Sequence, residues 1–381
     1  MRSAESTKLL KILTGAIAFS LIVATAVAST PKSGTKCSKA GATYSSNNSK
    51  YKCIKKSGKL VWSKVNKQAS KTPVLTTTPG VKTLSTQEKT ILELEKAMIL
   101  GPKKEFIRYH FSPKAVDSFK SFLVKDLDTS MRYWFSVYDN PEPFNVFYGT
   151  QTELDWMIDA WRPYGFDKNT GFADDLRGRI AREGSNLNAG AVPSASGSSH
   201  LSILRHTSNQ IQSGDFSFIA HESTHIIQQY LSKSNTSKMP CWLREGSANV
   251  FGAFLATKLH NTDYGVLKRQ QMNNYLWGSS GIDVRSFNAE QWLSHIKELE
   301  GNFSGTCDYV FRFAYGTGHL ISEALIAEFG FNKMIDFWRS FGGTKQLRLS
   351  FLEIYGLELD TWYKLVAIPY VMDQYLSTPR Q

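Results

Sequence analysis

His221-Glu222-Ser223-Thr224-His225, and the later stretch Pro240-Cys241-Trp242-Leu243-Arg244-Glu245-Gly246-Ser247-Ala248-Asn249, decide how this chain is read. Around the first, Phe216, Phe218, Ile219, Ile226 and Ile227 recur with helical spacing, so Asp215 to Leu231 is expected as one helix. On a helix, side chains four residues apart stand one above the other, so His221 and His225 point to the same spot. Two neutral imidazole nitrogens so placed can hold one side of a zinc tetrahedron. Glu222, offset by one residue, can reach a water without ligating the ion. A catalytic zinc also needs a third protein ligand and one open position. Glu245, opening the next helical pattern, is the candidate; its plainer reading is a first-turn carboxylate favoured by the helix dipole.

At these residues the chain resembles the gluzincin zinc metallopeptidases, in particular the peptidase-MA-like group with H-E-x-x-H followed by W-L-x-E-G-x-A. His221, Glu222 and His225 match the first motif; Trp242, Leu243, Glu245, Gly246 and Ala248 match the second. The resemblance implies a zincin-like fold, one zinc ion held by His221, His225 and Glu245, and hydrolysis of peptide bonds in a peptide or protein substrate with Glu222 as general base. It extends loosely to Tyr315-Gly316-Thr317-Gly318-His319-Leu320, where Tyr315 is the candidate catalytic donor to the oxyanion, with Tyr309 and His319 behind it. Each of these is otherwise a core aromatic or a satisfied histidine. The likeness covers the chain from about His200 onward, and Thr86 to Ser199 agrees only in general character. In zincin-like proteins an edge strand before the metal helix aligns the substrate, a place taken here by His200 to His206. His200 and His206 themselves read as strand-surface residues.

The alternative to an enzyme is a cell-surface binding protein with a catalytically inactive zincin-like domain. Glu222 favours catalysis, because a structural metal site gains nothing from a general base.

Ahead of this domain the composition changes. Arg2, Lys8 and Lys11 precede an apolar run from Ile12 to Val27 that ends Ala26-Val27-Ala28, the form of a secretory signal peptide cut after Ala28. An uncleaved membrane anchor is the alternative, since the run just reaches spanning length. Export places the four cysteines in an oxidising compartment. Cys37 with Cys53 and Cys241 with Cys307 is the expected pairing.

The chain of 381 residues carries a formal charge of +12, but eleven lysines and no acidic residue lie between Lys32 and Lys71. Residues 1–28 contribute +2, so Thr72 onward sums to −1. The main domain therefore has no basic field for nucleic acid. Residues 29–65 read as a small disulfide-stapled basic β module, either holding the protein to an anionic cell-wall or membrane surface or serving as a solvated spacer. The segment resembles the small Lys/Cys/Trp modules near the N-termini of exported actinobacterial proteins. Residues 66–84, rich in Thr, Ser, Lys and Pro, read as a linker.

From 85 to 381 the pattern is α+β, mostly helical in its C-terminal part. Ser85-Thr86-Gln87-Glu88 has capping-box form and opens a helix over Thr86 to Leu100. Further helices are expected over Pro113 to Tyr138, Thr152 to Trp161, Leu243 to Leu259, Tyr309 to Phe329, Asn332 to Phe341 and Leu359 to Tyr375. Strands are expected at Phe144 to Tyr148 and His200 to His206. A mean hydropathy of −0.29 argues against several membrane spans.

Overall fold

The computed structural model describes residues 33–46, 49–56, 58–65, 83–103, 105–139, 143–168, 170–183, 187–193, 199–205, 215–276, 283–301, 313–343 and 346–378. The expected signal peptide, most of the linker, His206, Cys307 and Tyr309 lie outside them. Among the described residues no helix is long and apolar enough to cross a membrane. The chain divides into two compact units, Met1–Lys82 and Thr83–Gln381.

In the first unit, β1 (Thr43–Ser46), β2 (Ser49–Lys56) and β3 (Lys59–Val65) form an antiparallel sheet in that order. Gly58, at φ 79°, sits in the reversal between β2 and β3, where a Cβ would be strained. Cys37 and Cys53 are disulfide-bonded with Cα atoms 6.0 Å apart. So short a sheet cannot bury much apolar area, and closing this loop stabilises it by up to about 3 kcal/mol through the unfolded chain.

The second unit opens with α1 (Thr86–Ala97), β4 (Ile107–Phe111) and α2 (Asp117–Tyr133). The capping box is made: Ser85 Oγ accepts from Glu88 N (3.2 Å) and Glu88 Oε2 accepts from Ser85 N (2.8 Å). Next come β5 (Phe144–Thr150), α3 (Leu154–Trp161), α4 (Thr170–Glu183), β6 (Leu187–Pro193) and β7 (Ser199–Arg205). The strands pair in the order β4-β5-β7-β6, with β4, β5 and β7 parallel and β6 antiparallel to β7. Every residue of β5 is buried, as its nearly continuous apolar run requires of a central parallel strand.

The two-residue period of the strands divides the core. Val146 and Tyr148 of β5 and Leu201 and Ile203 of β7 join the main core, while Phe147 and Leu204 join Leu154, Met157 and Trp161 of α3 and Leu176 of α4. Helices therefore cover both faces. β7 is an interior strand, contrary to the expectation that His200 to His206 form the edge. A further antiparallel strand, β6, lies within the Gly- and Asn-rich stretch and takes that place, because its partner ladder runs the whole length of β7. Glycine and asparagine lower strand propensity, and tertiary pairing overrode it.

Helices make up the rest: α5 (Asp215–Leu231), α6 (Cys241–His260), α7 (Tyr264–Leu276), α8 (Ala289–Leu299), α9 (Phe313–Phe329), α10 (Phe331–Ser340) and α11 (Leu347–Tyr355). α12 (Leu359–Trp362) runs through a π-helical turn, Tyr363–Ala367, into α13 (Ile368–Ser377). α6 is buried nearly all round, and two glycines let its neighbours in. A Cβ on Gly246 would stand 2.0 Å from the Gly318 carbonyl carbon of α9, and one on Gly252 would stand 2.8 Å from the Ser217 carbonyl oxygen of α5. Backbone thus meets backbone on both sides of the helix that carries Glu245. Cys241, which begins α6, is disulfide-bonded; the partner expected for it, Cys307, falls outside the described residues.

His200 is not on a strand surface. By alternation it faces the α3 side of the sheet, 1% exposed, with its ring 4.2 Å from that of Phe166 and 5.5 Å from Trp161. Neither ring nitrogen has a hydrogen-bond partner among the described residues. Burial pushes its pKa down to about 3. The unfolded chain takes up a proton near pH 6.5 that the folded state refuses. Stability is therefore full above that pH and falls as pH drops toward 3, by on the order of 1.4 kcal/mol per pH unit. Burial of His295, down to about 4, and of His319 adds in the same direction. His200→Leu is expected to remove about one proton from the pH dependence of urea unfolding between pH 7 and 5. An unchanged slope would mean that His200 is solvated in the folded state.

Candidate metal centre

The seventeen residues of α5 are held by Ile219, Ala220, Ile226 and Ile227, all buried in the main core. This fixes the rotation of the helix, so that His221 and His225 turn together toward the first turn of α6. Their Nε2 atoms are 3.0 Å apart. Glu245 Oε2 completes the triangle, 3.5 Å from His221 Nε2 and 3.2 Å from His225 Nε2. His221 and Glu245 are 8% and 6% exposed, so the group is almost withdrawn from water. The three side chains picked from the sequence as metal ligands are thus brought together, and they form a group able to bind a metal ion.

The hydrogen-bond network around them fixes which nitrogens carry protons. Asn249 Nδ2 donates to the Tyr315 carbonyl (3.0 Å), which turns its Oδ1 to accept from His221 Nδ1 (2.8 Å). Gln228 Nε2 donates to the Arg244 carbonyl (2.9 Å) and to Ser247 Oγ (3.0 Å), which turns its Oε1 to accept from His225 Nδ1 (2.8 Å). Both imidazoles therefore hold their hydrogen on Nδ1 and present a lone pair on Nε2. Two lone pairs and a carboxylate oxygen facing one another across about 3 Å in a low-dielectric interior repel unless a cation lies between them.

The triangle also has the right size. Ligands about 2.0–2.1 Å from a tetrahedral ion stand roughly 3.3 Å apart, which the three measured separations bracket. Burial pushes the Glu245 carboxyl up. Were protons on Nε2 to take the place of a cation, the charge of His225, hydrogen bonds from both rings and the nearby Arg244 would outweigh burial and hold the carboxyl well below the usual carboxylate range. Arg244 Nε donates to the other oxygen, Glu245 Oε1, at 3.0 Å, leaving Oε2 turned to the histidines.

Two further residues from the sequence reading meet the group. Glu222, 7% exposed, has an Oε2 atom without a hydrogen-bond partner among the described residues. A buried carboxylate oxygen is normally hydrogen-bonded, and a water beside a metal would satisfy this one. The Tyr315 ring lies nearly parallel to that of His221, 19° between planes and 6.1 Å between centroids. His319 is elsewhere: its Nε2 pairs with Tyr264 Oη (3.0 Å) in a separate buried cluster. It is four residues beyond Tyr315 on α9, but its side chain is drawn toward Tyr264 of α7. Tyr309 lies outside the described residues.

Gln228, Arg244 and Asn249 were not singled out in the sequence. The signal for two of them was present: Gln228 follows His225 by three residues and Asn249 follows Glu245 by four, helical spacings that bring polar side chains over a ligand. Removing such supports costs metal affinity because the ligand ring loses its orientation. Asn249→Ala and Gln228→Ala are each expected to weaken metal binding by about 10- to 100-fold. Competition with a chromogenic chelator measures this, and wild-type affinity in both would show that the amides do not orient the rings.

The fold and this group define a class: a mixed α+β, mostly helical protein carrying a His-His-Glu group able to bind a metal ion across two adjacent helices. No family model, no curated protein and no solved structure matches the chain.

Proposed function

We propose that the protein is an exported zinc-dependent metallopeptidase of the gluzincin type, with a zincin-like second unit. The observation that carries this reading is the convergence of two imidazole Nε2 atoms and one carboxylate oxygen on the helix face next to Glu222, whose buried Oε2 has no hydrogen-bond partner among the described residues. His221, His225 and Glu245 would hold the ion. Two imidazoles and a single carboxylate suit zinc, whereas calcium and magnesium take mainly oxygen ligands. Zinc, when bound, supplies a Lewis acid that polarises a carbonyl and brings the pKa of water to about 7.

The remaining chemistry belongs to the chain. Glu222 Oε2 takes the proton of the attacking water and passes it to the leaving amine. Tyr315, beside His221, donates a hydrogen bond to the oxyanion that develops. One of the two edge strands of the sheet among the described residues, β6, is tied to the metal helix by the bond from Gln229 Nε2 to the Ala191 carbonyl (2.7 Å). A peptide added along this strand would be bound through its backbone, with little sequence preference. The Cys37–Cys53 disulfide fits an oxidising compartment and hence export.

The test is metal analysis of the purified protein together with digestion of unfolded protein substrates. About one zinc per chain and hydrolysis removed by chelation and restored by zinc are expected, and Glu245→Ala should lose the metal. Full zinc occupancy in Glu245→Ala, or hydrolysis that survives chelation, would sink the reading.

A further inference from the structure

The first unit has a face that the metal site does not explain. In an antiparallel sheet, residues directly opposite one another share a face, as do residues two apart. Register therefore sets Ile54 opposite Val61, with Lys52 opposite Ser63 on one side and Lys56 opposite Lys59 on the other. An isolated bridge places Lys36 beside Val61 across the other edge of β3. Lys36, Lys52, Lys56 and Lys59 are all exposed, and the aliphatic pair lies among them, with Ile54 37% exposed. No acidic residue occurs anywhere from Lys32 to Lys71, so nothing on this segment neutralises them.

We propose that this face docks on an anionic lipid bilayer. Lysine ammonium groups act as point charges that suit a diffuse negative surface, and arginine, the side chain of bidentate phosphate recognition, is absent from the segment. The charges alone would suit any polyanion. Ile54, exposed beside the half-buried Val61, decides between them: a soluble polymer gives this aliphatic spot nothing to enter, whereas a headgroup layer allows its burial at the acyl boundary. The surface would hold the protein at a membrane, and it does not depend on the metallopeptidase reading.

The test uses the purified protein, with one N-terminus common to all variants, and vesicles of phosphatidylcholine with or without phosphatidylglycerol. Binding is expected only with the anionic lipid, weakening steeply with salt. Replacing Lys36, Lys52, Lys56 and Lys59 together by Gln should reduce it on the order of 10²–10³-fold. The same replacement at the exposed Lys89, Lys103, Lys125 and Lys364 of the second unit should leave it within about twofold. Ile54→Ser should remove the part of binding that persists at high salt. An equal loss in the two quadruple variants would overturn the proposal, as would binding to soluble polyphosphate or a DNA duplex with none to vesicles. If the first quadruple variant fails to form its disulfide, Lys52→Glu and Lys59→Glu singly carry the comparison. Zinc content and peptide hydrolysis should be unchanged in the lysine variants, so failure here and failure of the metallopeptidase reading are separable.

Discussion

Glu222→Gln is expected to lower peptide hydrolysis by about 10²–10⁴-fold while the metal content stays at the wild-type level. Glutamine matches glutamate in shape and remains able to hydrogen-bond, so the packing of α5 is kept. What it lacks is a carboxylate oxygen able to accept a proton from water and give it up to the departing amine. Because His221 and His225 are oriented by Asn249 and Gln228, not by Glu222, their lone pairs should still converge with Glu245 Oε2. Kinetics on an unfolded protein substrate, run beside metal analysis of the same preparation, read both halves. A Glu222→Gln protein that still turns over would remove general-base catalysis from this site, and one that loses its metal would mean that Glu222 supports the ligand set.

Gly246→Ala is expected to cost about 3 kcal/mol or more of stability and to weaken metal retention. The added methyl would stand 2.0 Å from the Gly318 carbonyl carbon and 2.2 Å from its oxygen, and neither is the tip of a side chain that can swing away. α6 and α9 would have to separate. The bond from Asn249 Nδ2 to the Tyr315 carbonyl spans that crossing, so its loss would release the amide that orients His221. Gly171 supplies the control: it lies in α4 with nothing within 4 Å of its would-be Cβ. Gly171→Ala should raise stability by roughly 0.5–1 kcal/mol through helix propensity. Denaturant unfolding of both variants tests the contrast, and a neutral Gly246→Ala would show that the crossing is looser than the helices' approach implies.

The helical period around His221 and His225 sets the bounds of α5 by sequence alone, because an amphipathic helix repeats every few residues and needs no distant partner to be recognised. The same holds for the capping box at Ser85, where both hydrogen bonds lie within four consecutive residues. β4, α4, β6, α7 and α11 escaped the sequence reading because their patterns are short, interrupted or weakly amphipathic, and what holds them is pairing or packing with elements far along the chain. α8 escaped it too, although its signal is local: Asn288 and Gln291 form a capping box, and Trp292, Leu293, Ile296 and Leu299 bury one face.

At the metal centre the division is similar. Local spacing determines that two histidines share a helix face, and it places a carboxylate at the start of the following helix. Whether Glu245 reaches them depends on how α5 and α6 cross, which Gly252 permits by letting backbone approach backbone. Whether His319 joins them depends on α7, whose Tyr264 draws it away. His200 makes the point most sharply: its strand was legible, but not the aromatic layer of α3 and neighbouring turns that buries it. Sequence records the chemistry each position carries and its local periodicity; only the long-range packing of helices and strands decides which of those groups meet, because those contacts join residues that the chain keeps far apart.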